Sequence, residues 1–429
     1  MMTLMETAIK VRIRFLSAFV IIIAGLISFR LYEIQVINGE DFSSRADRQY
    51  VIPPSLYDRG SIFFIQKDGV EVRAAGLEHG FTLAINPDKV ENPDALFRSL
   101  EPFIALDKEE FFKHATKKAD PYEVVARRLD EDSIKKIMAL DLRGVSAHEE
   151  RWRSYPGDKL AAHVLGFVGF DENELVGRYG LERYYDDVLN RAESSGYVNF
   201  FAELFANISN ALDNSKRGIG DLVLSIEPVV ESELESKLET LIKDWSADSS
   251  GGIIMNPVSG EIIAMSAEPS FYPGSFSEED DASVFVNPLV ESVFEMGSIV
   301  KPLTMAFGLD AEVISPETEY FDSGSISIDG AKISNFDEKG RGRVSMQEVL
   351  NQSLNTGAAF VVEKLGSEVF AEYIRALGLG QESGIDLPNE TRGLLANLKS
   401  PRDIEYATAS FGQGVAFTPI GTVRALAAL

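Results

Sequence analysis

The chain has 429 residues, a formal net charge of −26 at pH 7 and no cysteine. This length is sufficient for two or three domains, each with its own hydrophobic core. A chain this acidic lacks the basic surface that binds nucleic-acid phosphates, so no nucleic-acid partner is expected. The absence of cysteine excludes disulfides, thiol catalysis and thiolate metal ligands. The histidines, His79, His114, His148 and His163, have no metal-ligand spacing, so neither a metal site nor a cofactor is predicted.

An apolar run near the N-terminus predicts a membrane anchor. Residues 15–27 are uncharged and mostly apolar, and basic residues precede them. Residues 31–37 extend the run enough to span a bilayer if Arg30 snorkels to the interface. Bulky residues stand where a signal peptide would need small ones for cleavage, and a buried soluble helix is the remaining alternative. We therefore predict that residues 1–37 form a short cytoplasmic tail and a single transmembrane helix of the cytoplasmic membrane, with the rest extracytoplasmic or periplasmic.

Residues 38–220 are predicted to form an elongated α+β pedestal without catalytic groups of its own. The Lys67-Asp68-Gly69 sequence is typical of a hairpin turn after a short strand. Residues 92–142 alternate acidic caps with amphipathic segments, which predicts helices. The stretch 207–220 is rich in Asn, Asp, Ser and Gly, which indicates a surface loop or a domain boundary.

Residues 221–429 are predicted to form a second α+β domain, an antiparallel sheet flanked by helices. Pro228 begins an amphipathic segment that predicts a helix reaching about Trp245. Two apolar segments surround an Asn-Pro-Val-Ser-Gly turn within residues 251–265, which is typical of a hairpin. Helices on both sides of such a hairpin favour a sheet covered by helices.

Two further helices are predicted toward the C-terminus. One covers residues 344–365, with Ser345 as N-cap and Glu348 as its capping-box partner, although a Ser-Leu-Asn-Thr-Gly stretch interrupts its good helix formers. The other covers the final residues, 418–429, and lacks a C-terminal cap. The pattern therefore predicts that the sequence stops within a helix.

The segment Gly297-Ser298-Ile299-Val300-Lys301-Pro302 is the strongest candidate for chemistry. Residues at i and i+3 share one face of a helix, so the hydroxyl and the amine can touch. A neutral lysine can take the proton of a serine and make it a nucleophile. A helix start at this point would place Ser298 at the positive end of the helix dipole, and Pro302 would loosen the first turn. The neighbouring apolar residues favour the burial that lowers a lysine pKa.

Spacing alone is weak evidence for such a site. Ser133-Ile134-Lys135-Lys136 has the same spacing, but it follows an acidic run and is interpreted as a solvated helix face. A second element, Ser353-Leu354-Asn355, offers a hydroxyl that can relay a proton and an amide that can hold both a lysine and a substrate. Its structural alternative is a helix cap or a kink.

Together these segments closely resemble the class B penicillin-binding proteins, which are monofunctional peptidoglycan D,D-transpeptidases, and in particular the division type. The Ser-x-x-Lys combination is a signature of acyl-enzyme formation in such proteins. Further segments in the family's order are Arg59-Gly60-Ser61-Ile62, Ala161 to Gly169, Gly177 to Glu182, Met255 to Met265 and Ser410-Phe411-Gly412-Gln413-Gly414. The resemblance covers nearly the whole chain and implies an anchor, a pedestal (dimerisation-type) domain and a penicillin-binding transpeptidase domain.

The resemblance also implies roles for single residues. Ser298 would attack the D-Ala–D-Ala bond of a stem peptide, Lys301 would be the base, Ser353 the proton relay, and Asn355 a ligand of substrate and lysine. The backbone N–H of Ser298 would form half of an oxyanion hole. The implied substrate-binding positions are Gly297, Gly412, Gln413 and Gly414.

The implied partners are stem peptides, glycan strands derived from lipid II, β-lactams, a SEDS-type membrane glycosyltransferase and division proteins. The expected process is cell-wall and septum synthesis, and the Gly-Gln-Gly segment leans towards the septum. Two alternatives are a non-catalytic, membrane-anchored divisome scaffold and a penicillin-sensing or β-lactam-hydrolysing relative. The pedestal motifs disfavour the second alternative, which has no use for them.

One expected motif is absent. The family's Lys-Thr-Gly or Lys-Ser-Gly does not occur in these residues, and Lys339-Gly340 precedes the Ser-x-Asn element and cannot replace it. That motif lies on a strand that supplies the other oxyanion donor and binds the substrate carboxylate. We therefore expect the sequence to be a fragment that lacks its last strands, and we expect weak or no turnover from residues 1–429 alone.

Overall fold

The computed structural model describes residues 59–117, 120–171, 174–190 and 220–429. It forms two compact units: the first contains Leu77–Trp152, and the second combines the described part of Asp58–Gly76 with that of Arg153–Leu429. These units cut across the predicted pedestal, since part of it belongs to the second unit. The predicted anchor, residues 1–37, lies outside the described residues. Within the described ranges, no helix combines the length and apolar character needed to cross a membrane.

The regular elements are numbered in chain order. The strands are β1 (Ile62–Ile65), β2 (Glu71–Ile85), β3 (Glu123–Leu129), β4 (Val145–Ser154), β5 (Val168–Asp171), β6 (Glu174–Gly177), β7 (Leu222–Val223), β8 (Ser250–Met255), β9 (Ile262–Glu268), β10 (Glu319–Asp322), β11 (Ser325–Ile328), β12 (Ala331–Ser334) and β13 (Gly342–Ser345). The α-helices are α1 (Pro93–Leu100), α2 (Lys108–Ala115), α3 (Glu131–Met138), α4 (Ala162–Leu165), α5 (Gly180–Tyr184), α6 (Asp186–Leu189), α7 (Pro228–Trp245), α8 (Pro288–Glu291), α9 (Lys301–Asp310), α10 (Met346–Asn351), α11 (Asn355–Leu365), α12 (Ser367–Ala376), α13 (Asp403–Ala409) and α14 (Pro419–Leu426). Short 3-10 helices occur at Pro87–Lys89, Pro273–Glu278, Ala282–Phe285, Gly297–Val300 and Ala396–Lys399.

In the first unit, helices α1, α2 and α3 pack their apolar faces around one core. Each helix begins at a side-chain cap, in which Asn92, Asp107 and Asp130 accept a hydrogen bond from a first-turn backbone N–H. The predicted alternation of caps and amphipathic helices is therefore confirmed. The prediction omitted β3, which pairs antiparallel with the end of β2. Three of its 7 residues are charged, so its sequence carries a weak strand pattern.

A buried ion-pair network joins two of the pedestal motifs in the second unit. Glu182 is fully buried, and its carboxylate accepts hydrogen bonds from Arg59 (2.7 Å) and Arg153 (2.6 Å). Arg59 also pairs with Asp186 at 2.7 Å. Because a buried carboxylate is costly without partners, the two arginines hold α5 against the chain that leads into β1.

The hairpin and the long helix predicted at the start of the second domain are confirmed. β8 and β9 pair antiparallel around the Asn256 turn, and α7 begins at Pro228 and ends at Trp245. The structure adds two antiparallel pairs that the prediction missed. One is the hairpin β11–β12, and the other pairs β10 with β13, which are farther apart in the sequence. Their strands are four residues long and largely polar, so they carry little periodic signal.

The continuous helix predicted over residues 344–365 is wrong at its centre. The structure has α10 and α11, separated at Ser353, whose backbone adopts a left-handed conformation with φ of 54°. Ser345 caps α10 by accepting from the N–H of Glu348 at 3.4 Å, as predicted. The reciprocal half of the capping box is not made, since the Glu348 carboxylate accepts from Asn351 and Gln352 instead.

Candidate active site

Ser298 lies where a 3-10 turn passes into helix α9. The turn covers Gly297–Val300, and α9 begins at Lys301, with Pro302 in its first turn, where a missing N–H costs little. Gly297 has φ of 56°, which glycine adopts without strain. This geometry leaves the Ser298 side chain exposed and places Lys301 in the core with only 2% of its surface accessible.

Three polar side chains meet at this turn. The Lys301 Nζ atom lies 3.0 Å from Ser298 Oγ and 2.9 Å from Ser353 Oγ. The two serine oxygens are 3.0 Å apart, with Ser353 donating to Ser298. The backbone carbonyl of Ser353 accepts a third hydrogen bond from Lys301 Nζ at 2.7 Å. The hydroxyl–amine–hydroxyl triangle that the two sequence motifs predict is therefore assembled.

The left-handed backbone of Ser353 makes this triangle possible. A non-glycine residue in that conformation costs about 1 kcal/mol or more and persists only where surrounding contacts hold it. Here the turn between α10 and α11 directs both the hydroxyl and the carbonyl of Ser353 at the lysine. The strain falls on a residue that contacts both Ser298 and Lys301.

Burial among apolar neighbours lowers the pKa of Lys301 to about 8. At pH 7 roughly one lysine in ten would then be neutral, against well under one in a thousand at the usual pKa. The lysine is thus within reach of a basic form that can accept the proton of Ser298.

The backbone around Ser298 offers a place for negative charge. Within the described part of the chain, nothing accepts a hydrogen bond from the Ser298 N–H. The preceding N–H, of Gly297, is engaged with the Gly412 carbonyl at 3.3 Å. An N–H at the start of a helix that is not engaged by an acceptor is suited to stabilise an oxyanion.

The predicted substrate-binding glycines lie against the Ser298 turn. Gly412 is packed so closely on Gly297 that an added Cβ would come within 2.4 Å of the Gly297 oxygen. The N–H of Gly414 donates to the Glu295 carboxylate at 2.8 Å. Gln413 between them is exposed, and its backbone N–H donates to the Thr408 carbonyl at 3.1 Å. The structure therefore brings this segment to one side of the site.

Asn355 has a different partner from the one that the resemblance implies. Its amide nitrogen donates to the Ser334 carbonyl at 2.9 Å. The hydrogen bonds of Lys301 within the described ranges go to Ser298 and Ser353 and not to Asn355. Asn355 stands at the first residue of α11, beside the triangle. A role in binding substrate stays a prediction for this residue.

Sequence reasoning missed a buried polar cluster behind Asn355. Asp322 is 1% exposed and accepts hydrogen bonds from Thr356 Oγ1 (2.8 Å) and Asn335 Nδ2 (3.0 Å). The side-chain oxygen of Asn335, Oδ1, in turn accepts from the Thr356 N–H at 3.3 Å. Burial raises the pKa of the Asp322 carboxyl, but these bonds and those from the N–H groups of Gly324 and Arg341 keep it below its usual value. Only Thr356, adjacent to the Ser-x-Asn motif, had a local signal that could have identified the cluster.

Comparison with known proteins agrees with this geometry. Residues 251–429 match the family model of the penicillin binding protein transpeptidase domain, and residues 72–202 match that of the penicillin-binding protein dimerisation domain. A crystal structure of penicillin binding protein 2X from Streptococcus thermophilus has the same fold, with a TM-score of 0.66 and 18% identity over 86% of this chain and 58% of that one.

Curated relatives extend the match along the chain. Stage V sporulation protein D of Bacillus subtilis is 32% identical over 100% of this chain and 66% of its own length. Peptidoglycan D,D-transpeptidase MrdA of Acinetobacter baumannii is 28% identical over 90% of this chain and 61% of its own length. Peptidoglycan D,D-transpeptidase FtsI of Escherichia coli K12 is 27% identical over 71% of this chain and 50% of its own length.

Two matched domains in this order, with the Ser298, Lys301 and Ser353 contacts in the second, define the class of protein. The chain belongs to the class B penicillin-binding proteins. It spans 66% or less of the relatives just described, Stage V sporulation protein D, MrdA and FtsI.

Proposed function

We propose that the protein is a peptidoglycan D,D-transpeptidase that acts through an acyl-enzyme on Ser298. The observation that carries this proposal is the contact of one exposed hydroxyl with both a buried lysine and a second hydroxyl. A serine in this setting has a base to activate it and a route for its proton. The names of the relatives MrdA and FtsI support the same reaction.

Acylation follows from the three contacts. Neutral Lys301 takes the Ser298 proton while Ser298 Oγ bonds to the carbonyl carbon of the penultimate D-Ala. The carbonyl oxygen becomes negative and receives the free N–H of Ser298 as a donor. Lys301 then returns the proton through Ser353 Oγ to the nitrogen of the terminal D-Ala, and the C–N bond breaks. Terminal D-Ala leaves, and the rest of the stem peptide stays as an ester on Ser298.

The second half of the reaction uses the same groups in reverse. An amine from a neighbouring stem peptide loses a proton through Ser353 to Lys301 and attacks the ester carbonyl. The new amide bond cross-links two glycan strands, and Ser298 regains its proton. A β-lactam would acylate Ser298 in the first half and block the second. Gly297, Asn355 and the segment Gly412-Gln413-Gly414 would hold the peptide backbone beside the serine.

The proposal also places the protein at a membrane and gives it partners. The N-terminal segment would anchor the protein in the cytoplasmic membrane, with both units on the extracytoplasmic side. Strand polymerisation would fall to a separate SEDS-type membrane glycosyltransferase, and division proteins would be further partners. A fully assembled Ser-Lys-Ser triangle gives no support to the alternative of a non-catalytic scaffold.

Labelling with a fluorescent penicillin tests the proposal. Full-length protein should form a covalent adduct, Ser298→Ala should form none, and Ser133→Ala should label like the wild type. Thermal unfolding of each variant confirms that it is folded. Equal labelling of Ser298→Ala would remove this serine from the mechanism, and no labelling of the folded wild type would favour the scaffold.

A further inference from the structure

A cavity of about 690 Å³ lies on the other side of the Ser-x-Asn helix. It is enclosed by β10, β11, α11 and α13, all in the second unit. Thr356, Ala359, Phe360 and Glu363 line it from α11, so one continuous stripe of that helix faces the cavity. A volume of this size is typical of sites that hold a small molecule. The proposed catalytic reaction does not use it.

The walls of the cavity are aromatic and aliphatic. Tyr320 and Phe360 stack with ring centroids 5.5 Å apart. Phe321 also contributes to the lining although 72% of its surface is exposed, which is unusual for a phenylalanine. Ile326 and Ile328 of β11 complete the apolar surface. This surface suits a ligand with an aromatic or branched aliphatic body.

The charged side chains that line the cavity are acidic. Glu363 and Asp403 line it, both exposed to solvent, and none of the described residues in its lining is a lysine or arginine. Ser367 donates to the Asp403 carboxylate at 3.0 Å. Lys364 is the cation beside the cavity, with its Nζ 5.3 Å from the centre of the Phe360 ring. Two acidic side chains in a lining that also contains aromatic rings favour a ligand that carries an ammonium group.

We propose that this cavity is a second ligand site, which takes a small amphiphile with an aromatic or branched aliphatic body and a primary amine. The body would lie between Phe321, Phe360 and the β11 isoleucines. The amine would bind between the Glu363 and Asp403 carboxylates. The apolar walls provide affinity, and the charged groups select the cation over a neutral or anionic analogue.

The cavity is joined to the Ser298 site by hydrogen bonds. The Tyr320 hydroxyl lies 3.1 Å from Thr356 Oγ1, and both residues line the cavity. Thr356 is bonded to Asp322 and Asn335, and the carbonyl of the adjacent Ser334 holds Asn355. A ligand that moves Tyr320 or Thr356 therefore acts on the N-terminus of α11, next to Ser353. We infer that occupancy changes the rate of acylation at Ser298, an effect that rests on the proposed function.

Matched amphiphiles test the binding. Full-length protein is titrated calorimetrically with 3,3-diphenylpropylamine, with the neutral 3,3-diphenylpropan-1-ol and with the anionic 3,3-diphenylpropanoate. The amine should bind about tenfold more tightly than the other two, because a factor of ten is close to the lower end of what a charge-assisted hydrogen bond contributes. Glu363→Gln should remove most of this preference. Glu368→Gln, an exposed change on α12 outside the cavity, should leave it intact.

A blocking variant locates the site. Ser327 is exposed and lines the cavity, so Ser327→Trp should fill the mouth without disturbing the core. It should abolish binding of the amine and leave penicillin labelling without ligand unchanged. Equal affinity of the three compounds, or undiminished amine binding by folded Ser327→Trp, would overturn the proposed site.

The coupling between the cavity and Ser298 is tested by a separate measurement. The rate of fluorescent penicillin labelling is measured with and without saturating amine, in the wild type and in Ser327→Trp. A change of at least about twofold in the wild type alone is expected. An unchanged rate at proven saturation overturns the coupling and leaves the ligand site standing. Failure of the wild type to label without any ligand would instead overturn the proposed function.

Discussion

The chain contains the same Ser-x-x-Lys spacing in two helices with opposite surroundings. In α3 the Asp130 cap engages Ser133, accepting from its N–H at 2.8 Å and from its hydroxyl at 2.9 Å. Lys136 is exposed there, and the pKa of its neighbour Lys135 is raised by Glu131. At Ser298 the hydroxyl contacts a lysine that is 2% exposed and whose pKa is lowered.

The comparison shows that burial, not spacing, lowers the pKa of the lysine in such a pair. In α3 the carboxylate of the N-cap residue Asp130 accepts hydrogen bonds from both the N–H and the hydroxyl of Ser133. Such a cap satisfies a backbone N–H that has no partner within the helix. The turn before α9 begins instead with left-handed Gly297 and has no side-chain cap, which leaves the Ser298 hydroxyl to the lysine. The interpretation of Ser133 as part of a solvated helix face is confirmed.

Replacement of Lys301 and of Lys136 should give the largest difference between the two motifs. Lys301→Met should slow fluorescent penicillin labelling by about 10³-fold, because loss of a general base typically costs 10²- to 10⁴-fold. Lys136→Met should change the rate less than twofold. The measurement is the second-order labelling rate of full-length protein at pH 7.5. A large loss in both variants would mean that the effect comes from folding and not from catalysis.

The labelling rate should change by about 10²-fold with pH, and this change should follow Lys301 and not Lys136. Because the pKa of Lys301 is lowered to about 8, the neutral fraction rises tenfold per pH unit below that value and levels off above it. The labelling rate should therefore rise from pH 6 to pH 8 and then become constant. Lys136→Met should keep this profile. A flat profile over the same range would show that the lysine is not the group that titrates.

Two substitutions at Ser353 separate the role of its hydroxyl from that of its backbone conformation. Ser353→Ala and Ser353→Gly both remove the relay and should reduce labelling by roughly 10- to 100-fold. Glycine adopts the φ of 54° without strain, so only Ser353→Gly should stabilise the fold, by about 1 kcal/mol in chemical denaturation. Full activity in either variant would exclude the hydroxyl from the proton route.

Local pattern predicted the elements that local residues determine. The proline and the amphipathic pattern predicted α7, and two apolar segments around a turn predicted the β8–β9 hairpin. These signals were sufficient because each element is defined within its own segment. The pairing of Glu319 with Ser345 joins β10 to β13 across a long insertion, which no local periodicity records. The division into compact units also depends on such distant contacts.

The residues of the site also fall into those that a local motif predicts and those that depend on tertiary contacts. Ser298, Lys301 and Ser353 stand in motifs and were predicted with their contacts. The neutral form of Lys301 needs tertiary burial, and the partner of Asn355 depends on where β12 ends. Asp322 and Asn335 have ordinary neighbours in the sequence, and only the fold brings them to Thr356.

Two carboxylates on α7, Glu231 and Glu233, also differ in burial, and a smaller effect on stability is expected from this difference. Glu231 is fully buried, and one carboxylate oxygen accepts from the Met265 N–H at 2.7 Å. Within the described ranges its other oxygen has no partner, and burial raises the pKa of Glu231 to about 7. Glu233, two residues along the same helix, is exposed and pairs with Lys237.

The raised pKa makes the stability depend on pH in a definite direction. The folded protein holds the Glu231 proton up to about pH 7, while the unfolded chain releases it near pH 4.5, so stability falls as the pH rises between these values. Glu231→Gln removes this loss and should stabilise the protein by about 1–2 kcal/mol at pH 8, with no gain at pH 4. Glu233→Gln should stay within about 0.5 kcal/mol at both pH values. Urea unfolding at the two pH values measures all three proteins, and a gain for Glu231→Gln at pH 4 as large as at pH 8 would show that packing, and not ionisation, is responsible.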